Sequence, residues 1–273
     1  MGNQQAVVEH YGTGSLLARV EQSLQQAGLG EGMLNWSDLV PLDQFHVRGL
    51  AATRELTETL NIEAGAKMLD VGCGLGGPAR FLAATNGCQV TGIDLSQPFV
   101  DVAEMLTRRC GLEEKVTFRR ADALDLPFGD AIFPYVWTQH VAMNIADRTR
   151  FYAEIYRVLK PGGRLAVYDV VAGKGRPLTF PVPWARGPKT NFLLTTDEMK
   201  QSLGNAGFAE MSWTDKTEVS LNWFAELNAR PQLAAPLSIA VVMGPQFVEM
   251  AENLARNLNE GRVRLVQAAL RRG

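Results

Sequence analysis

Leu69-Asp70-Val71-Gly72-Cys73-Gly74-Leu75-Gly76-Gly77-Pro78 is the stretch that decides the fold of this 273-residue chain. An apolar run of strand length leads into Asp70, and glycines at 72, 74 and 76 permit a tight turn that another molecule can approach closely. Pro78 suits the first turn of a helix, whose amides are unpaired in any case. Outward from this turn, apolar runs at 89–93, 116–119, 131–137 and 164–171 alternate with amphipathic segments at 76–85, 97–110 and 147–159. Such alternation predicts a parallel sheet covered by helices on both faces, with right-handed crossovers. Two helices precede it. The first is capped by Ser15 and carries Leu16, Leu17, Val20 and Leu24 as far as Gly28; the second starts after Asp43 and runs to Leu60.

After Val171 the alternation lapses into a Pro- and Gly-rich loop over 172–191. A loop of that length commonly serves function. Thr195-Thr196-Asp197-Glu198 has the form of a capping box and opens a helix ending near Gly207, followed by a strand-like run at 208–214. Phe247, Met250, Leu254 and Leu258 recur at helical spacing, whereas 262–270 fits either period. No internal repeat or linker interrupts the chain.

The 27 basic and 29 acidic residues leave a net charge of -2, with no bulk attraction to nucleic acid or to an anionic membrane. No apolar run reaches the roughly 18 to 20 residues that a membrane span requires, and the first residues, Met1-Gly2-Asn3-Gln4-Gln5, do not form a secretory leader. Three cysteines, Cys73, Cys88 and Cys110, lack metal-ligand spacing and suit a reducing compartment, so a cytoplasmic location is expected.

Acids around the turn narrow the ligand. Asp94 ends the second strand and suits a ribose diol, which both a nicotinamide dinucleotide and S-adenosylmethionine contain. Asp70, at the foot of the turn, repels a pyrophosphate but attracts the ammonium group of a methionine moiety. Asp122, after the third strand, is placed to accept from an adenine amino group. One acid for an ammonium, one for a ribose and one for an adenine favour S-adenosylmethionine as cofactor.

Leu69 to Gly77, Gly92-Ile93-Asp94-Leu95-Ser96, Ala121-Asp122-Ala123 and Val158-Leu159-Lys160-Pro161-Gly162-Gly163-Arg164-Leu165 resemble, in order and spacing, the successive motifs of class I S-adenosylmethionine-dependent methyltransferases. The resemblance covers about residues 60–170. It implies an α/β fold: a Rossmann-like seven-stranded sheet flanked by helices, with the last strand antiparallel between the fifth and sixth. That assigns 263–270 to a strand. A single domain over 1–273 follows, with a helical cap at 1–58, a cofactor-binding core at 59–171 completed by 195–215 and 260–273, and lid insertions at 172–194 and 216–259. The cofactor set is then Asp70, Gly72, Gly74, Gly76, Asp94, Leu95, Asp122, Ala123 and Gln139. Phe133-Pro134 departs from the Phe-Asp common in the family and removes one backbone donor, which puts the start of the fourth strand in doubt.

The resemblance puts the methyl-acceptor pocket after the fourth strand, at Trp137-Thr138-Gln139-His140-Val141. His140 is the candidate general base, because its ordinary pKa lies near working pH; the alternative is a histidine satisfied within the fold. Transfer to an amine that arrives neutral needs only alignment, whereas a hydroxyl or carbon acid needs a base. Val8-Glu9-His10-Tyr11-Gly12 is similar to the cap of methyltransferases acting on sarcosine, dimethylglycine or phosphoethanolamine, which gives Tyr11 a closing role over the cofactor. Among the lid aromatics, Trp184 and Trp223 are expected at the substrate, beside Phe180 and Phe224. His46 reads as structural. Asp169 has no acidic companions that would hold a metal. The leading expectation is a small-molecule N-methyltransferase; O- or C-methylation of a phenol, quinone or other apolar acceptor is the alternative, and a non-catalytic cofactor-binding scaffold the reading from a different class. The acceptor and the oligomeric state are left open.

Overall fold

The sheet has strand order β3-β2-β1-β4-β5-β7-β6 in a computed structural model that describes residues 15–175, 177–229 and 235–273. Its strands are β1 (Lys67–Val71), β2 (Gln89–Asp94), β3 (Val116–Arg120), β4 (Phe133–Gln139), β5 (Leu159–Ala172), β6 (Phe208–Asp215) and β7 (Val263–Arg272). β7 runs antiparallel to both β5 and β6, so the ambiguous segment at 263–270 is the inserted strand. Strand order reverses between β1 and β4, and it is there, beyond the carboxyl ends, that an open α/β sheet forms its ligand crevice.

The described helices that flank the sheet are α1 (Leu16–Gln26), α2 (Gly49–Leu60), α3 (Gly77–Asn86), α4 (Gln97–Arg109), α5 (Arg148–Val158), α6 (Thr196–Asn205), α7 (Thr217–Ala229) and α8 (Phe247–Asn259). Side-chain alternation sorts the strands between two cores. Met68, Trp137, Ala166 and Tyr168 pack with α2, α3 and α8; Leu69, Val136, Leu165 and Val167 pack with α5 and α6. Ser15 caps α1 through the Ala18 amide, and Thr195 and Glu198 form the reciprocal capping box of α6.

Two local expectations need correction. The second helix begins at Gly49 and not after Asp43, because Val40–Asp43 forms a separate helical turn and Arg48 takes a left-handed conformation, φ 68°, before α2. Pro134 does not abolish the start of β4: a register shift between Phe133 and Tyr135 absorbs its missing donor.

That early helical turn is anchored to the core by a buried ion pair. Arg80 on α3 donates to Asp43 at 2.8 Å, to the Leu75 carbonyl at 2.6 Å and to the Thr107 hydroxyl at 3.0 Å. Burial pushes the Asp43 carboxyl up to about 6 although Arg80 opposes the shift. Asp43→Ala leaves the guanidinium charge buried and unpaired, so urea unfolding should show a loss of about 3–5 kcal/mol. A loss below ~1 kcal/mol would mean that Arg80 relaxes to water.

Candidate active site

A cavity of about 250 Å³ opens beyond the carboxyl ends of β1, β2 and β4. Asp70, Gly72 and Gly74 line it from the first turn, Asp94 and Leu95 from the second, Asp122 and Ala123 from the third, and Gln139 and His140 from the fourth. Gly76 does not line it. That glycine caps α3 at φ 77°, and a side chain there would collide with Phe118, so its requirement is packing. Gly72, also at positive φ, is closed to a side chain by Val141, whereas Gly74 faces open space. Tyr11 lies outside the described residues.

The acids are held in different ways. Asp94 accepts from the amide of Gly74 at 3.0 Å through one oxygen and from that of Ser96 at 2.9 Å through the other, which ties the glycine turn to the end of β2. Asp122 accepts from the amide of Leu124 at 2.9 Å. Asp70 is 2% exposed, and its Oδ2 has no hydrogen-bond partner. Desolvation, helped by the negative charge of Asp94, pushes its carboxyl up to about 8. A buried carboxylate oxygen without a donor, in one cavity with a glycine that has open space beside it, fits a cationic, close-packed ligand such as the ammonium end of S-adenosylmethionine.

A second cavity of about 120 Å³ adjoins the first. Its described wall includes Met143, Pro183, Trp184, Trp223, Phe224, Phe247 and Leu254, with no carboxylate, lysine or arginine. The loop over 172–194 is tied down there. The Trp184 indole donates to Asn191 at 2.8 Å, the Asn144 amide donates to the Trp184 carbonyl at 2.8 Å, and the Asn253 and Asn257 amides of α8 donate to the carbonyls of Pro181 and Thr179. Phe45, His46 and His140 are the side chains that line both cavities.

His46, which the sequence reads as structural, is hydrogen-bonded within the fold and also lines both cavities. It is 8% exposed, with its ring 6.1 Å from that of His140. Burial holds the pKa of His46 down at about 4 and that of His140 well below its ordinary value, with His46 adding to the depression of His140. Among the described residues no cluster of His, Cys, Asp and Glu could hold a metal ion.

A family model described as a methyltransferase domain matches residues 69–167. The O-methyltransferase cnsE of Penicillium expansum is 31% identical over 229 residues, which cover 82% of this chain and 79% of the relative. The chain belongs to the methyltransferase family. Its methyl donor is S-adenosylmethionine, as the motifs led us to expect. The methyltransferase GfsG of Streptomyces halstedii is 41% identical over 136 residues, so the match spans only about half of each protein, 50% of this chain and 49% of the relative. Among solved structures, the 4+2 cyclase SpnF is similar over 99% of this chain and 96% of its own, with 29% identity and a TM-score of 0.67.

In the ligand-free protein Asp70 retains its proton up to about pH 8, while the unfolded chain loses it near pH 4, so this group makes stability fall between those values. Asp70→Asn, neutral in both states, should therefore raise the midpoint of thermal unfolding, by more at pH 8 than at pH 5. An equal effect at both pH values would contradict the assigned titration.

Proposed function

We propose that the chain transfers the methyl group of S-adenosylmethionine to a hydroxyl group on an apolar acceptor. The observation that carries this reading is the second cavity, whose described wall is aromatic and aliphatic and whose two titratable groups, His46 and His140, stand at its junction with the first. The likeness to an O-methyltransferase over 82% of this chain supports it. An amine acceptor, the leading expectation from sequence, would be better served by an acidic or cation-binding wall; Trp184 and Trp223 here are embedded among apolar neighbours.

Within this reading Asp70 pairs with the cofactor's ammonium, Asp94 accepts from the ribose hydroxyls and Asp122 from the adenine amino group. Gly72 and Gly74 let backbone approach, and Leu95, Ala123 and Gln139 complete the wall. Bound there, the cofactor supplies an electrophilic methyl group on a cationic sulfur. The chain's part is to align the acceptor oxygen with that carbon, exclude water and receive a proton. Trp184 and Trp223 hold the acceptor's apolar body, and His140 borders its hydroxyl. The segments 172–194 and 216–259 serve as lids over the core. No described helix is long and apolar enough to cross a membrane, and with Cys73, Cys88 and Cys110 unpaired, we assign the chain to the cytoplasm.

Incubation with S-adenosylmethionine and a panel containing 2-naphthol, hydroquinones, ethanolamine and sarcosine tests the acceptor class. S-Adenosylhomocysteine should form at least tenfold faster with the hydroxylated apolar compounds than with the amines; the reverse order would overturn the proposal. The likeness to SpnF favours a second reading, in which the cavity folds an apolar chain for cyclisation with no methyl transferred. S-Adenosylhomocysteine absent with every acceptor, together with a cyclised product from an apolar polyene, would select it. Asp94→Ala should weaken cofactor binding roughly 10–100-fold in calorimetry, since hydrogen bonds to a charged acceptor contribute about 1.5–3 kcal/mol.

A further inference from the structure

We infer that His46, contributed by the segment before α2, is the group that takes the acceptor's hydroxyl proton through Nδ1, with His140 positioning the same oxygen; the inference rests on the hydroxyl-acceptor reading above. It follows from the tautomer that the fold imposes. His46 Nε2 lies 2.9 Å from the Gly49 carbonyl oxygen and 3.0 Å from Thr53 Oγ1. A carbonyl only accepts, so Nε2 carries the proton. Thr53 agrees with this assignment: its hydroxyl donates to Gln44 Oε1 at 2.8 Å, leaving a lone pair turned to His46. Neutral His46 therefore presents Nδ1 as a bare lone pair, and no described group donates to it.

Position agrees with tautomer. His46 borders both the cofactor cavity and the apolar cavity, as a proton acceptor at the junction must. His140 borders both as well, its Nε2 buried without a partner and its ring tilted 4.9 Å from that of Tyr168. The two imidazole centroids stand 6.1 Å apart at the junction of the cavities, and on this inference the acceptor oxygen lies between them, about 2.8 Å from a nitrogen of each ring. That oxygen donates to His46 Nδ1 and can accept from His140.

In the step itself the oxygen forms its bond to the methyl carbon while its proton moves to His46 Nδ1, and the sulfur–carbon bond breaks with its electron pair retained on sulfur. Among the described residues no carboxylate contacts either imidazole, so a lone imidazolium would be poorly solvated here. Positive charge leaves sulfur as it arrives on His46, and the cleft holds one such charge before and after.

The full chain, labelled with 15N-histidine and loaded with S-adenosylhomocysteine, tests this by NMR with 2-naphthol as probe. Only three histidines are present, and His46→Gln identifies the signal. His46 should show the Nε2–H tautomer, and 2-naphthol, unlike naphthalene, should shift its Nδ1 resonance. An Nδ1–H tautomer, or an unmoved Nδ1 while tryptophan fluorescence reports 2-naphthol bound, overturns the inference and leaves the acceptor reading standing. No fluorescence change overturns both. In turnover, His46→Gln should lower kcat by about 100-fold or more while cofactor affinity stays within twofold. Equal losses in the two would mark His46 as structural.

Discussion

Asp70 is a carboxyl group held out of water with no cation or full set of donors to meet it, and the rest of the site is arranged around that fact. Such a group is unfavourable in the ligand-free protein, where burial and the neighbouring Asp94 keep its proton on near neutrality. A ligand cation removes the conflict. The glycine turn follows Asp70 directly, and Asp94 fixes that turn by accepting from the Gly74 amide. Core stability is thereby exchanged for affinity toward a cationic donor, and the cost is carried by the large sheet, where β5 and β7 pair over nine positions from Arg164 to Ala172.

Donor and acceptor chemistry fall to different parts of the chain. The turns after β1, β2 and β3 face the cofactor cavity, whereas the second cavity, where we propose the acceptor binds, is built by segments outside those turns: Phe45 and His46 before α2, Trp184 in the loop over 172–194, Trp223 on α7 and Leu254 on α8. The Arg80–Asp43 pair sets the segment before α2 against α3 only two residues from Phe45. Imidazoles from two distant stretches of sequence thus meet at the boundary between the cavities without any direct hydrogen bond to each other.

Local chemistry made much of this legible in the sequence. Thr195 and Glu198 announce their helix because a capping box satisfies its own orphan amides, and the glycine turn announces the first crossover because only glycine tolerates its dihedrals beside Val141 and Phe118. The strand at 263–270 was not legible from its pattern: buried on both faces between β5 and β6, it shows a near-continuous apolar run and no clean alternation, and the family resemblance alone assigned it. Gly76 read as a ligand glycine because sequence does not distinguish close approach by a cofactor from close approach by Phe118. The meeting of His46 with His140, 94 positions further along by the numbering, was not legible, because tertiary contact of that range leaves no local trace.

Calorimetry of S-adenosylmethionine binding at pH 7, run in buffers of differing ionisation enthalpy, tests most directly whether Asp70 is the cation's partner. With its carboxyl near 8 in the ligand-free protein, Asp70 enters binding mostly protonated and must ionise to meet an ammonium group. The account predicts release of most of one proton per cofactor bound, and its disappearance in Asp70→Asn. Binding with no proton release, or an undiminished release in Asp70→Asn, would contradict it.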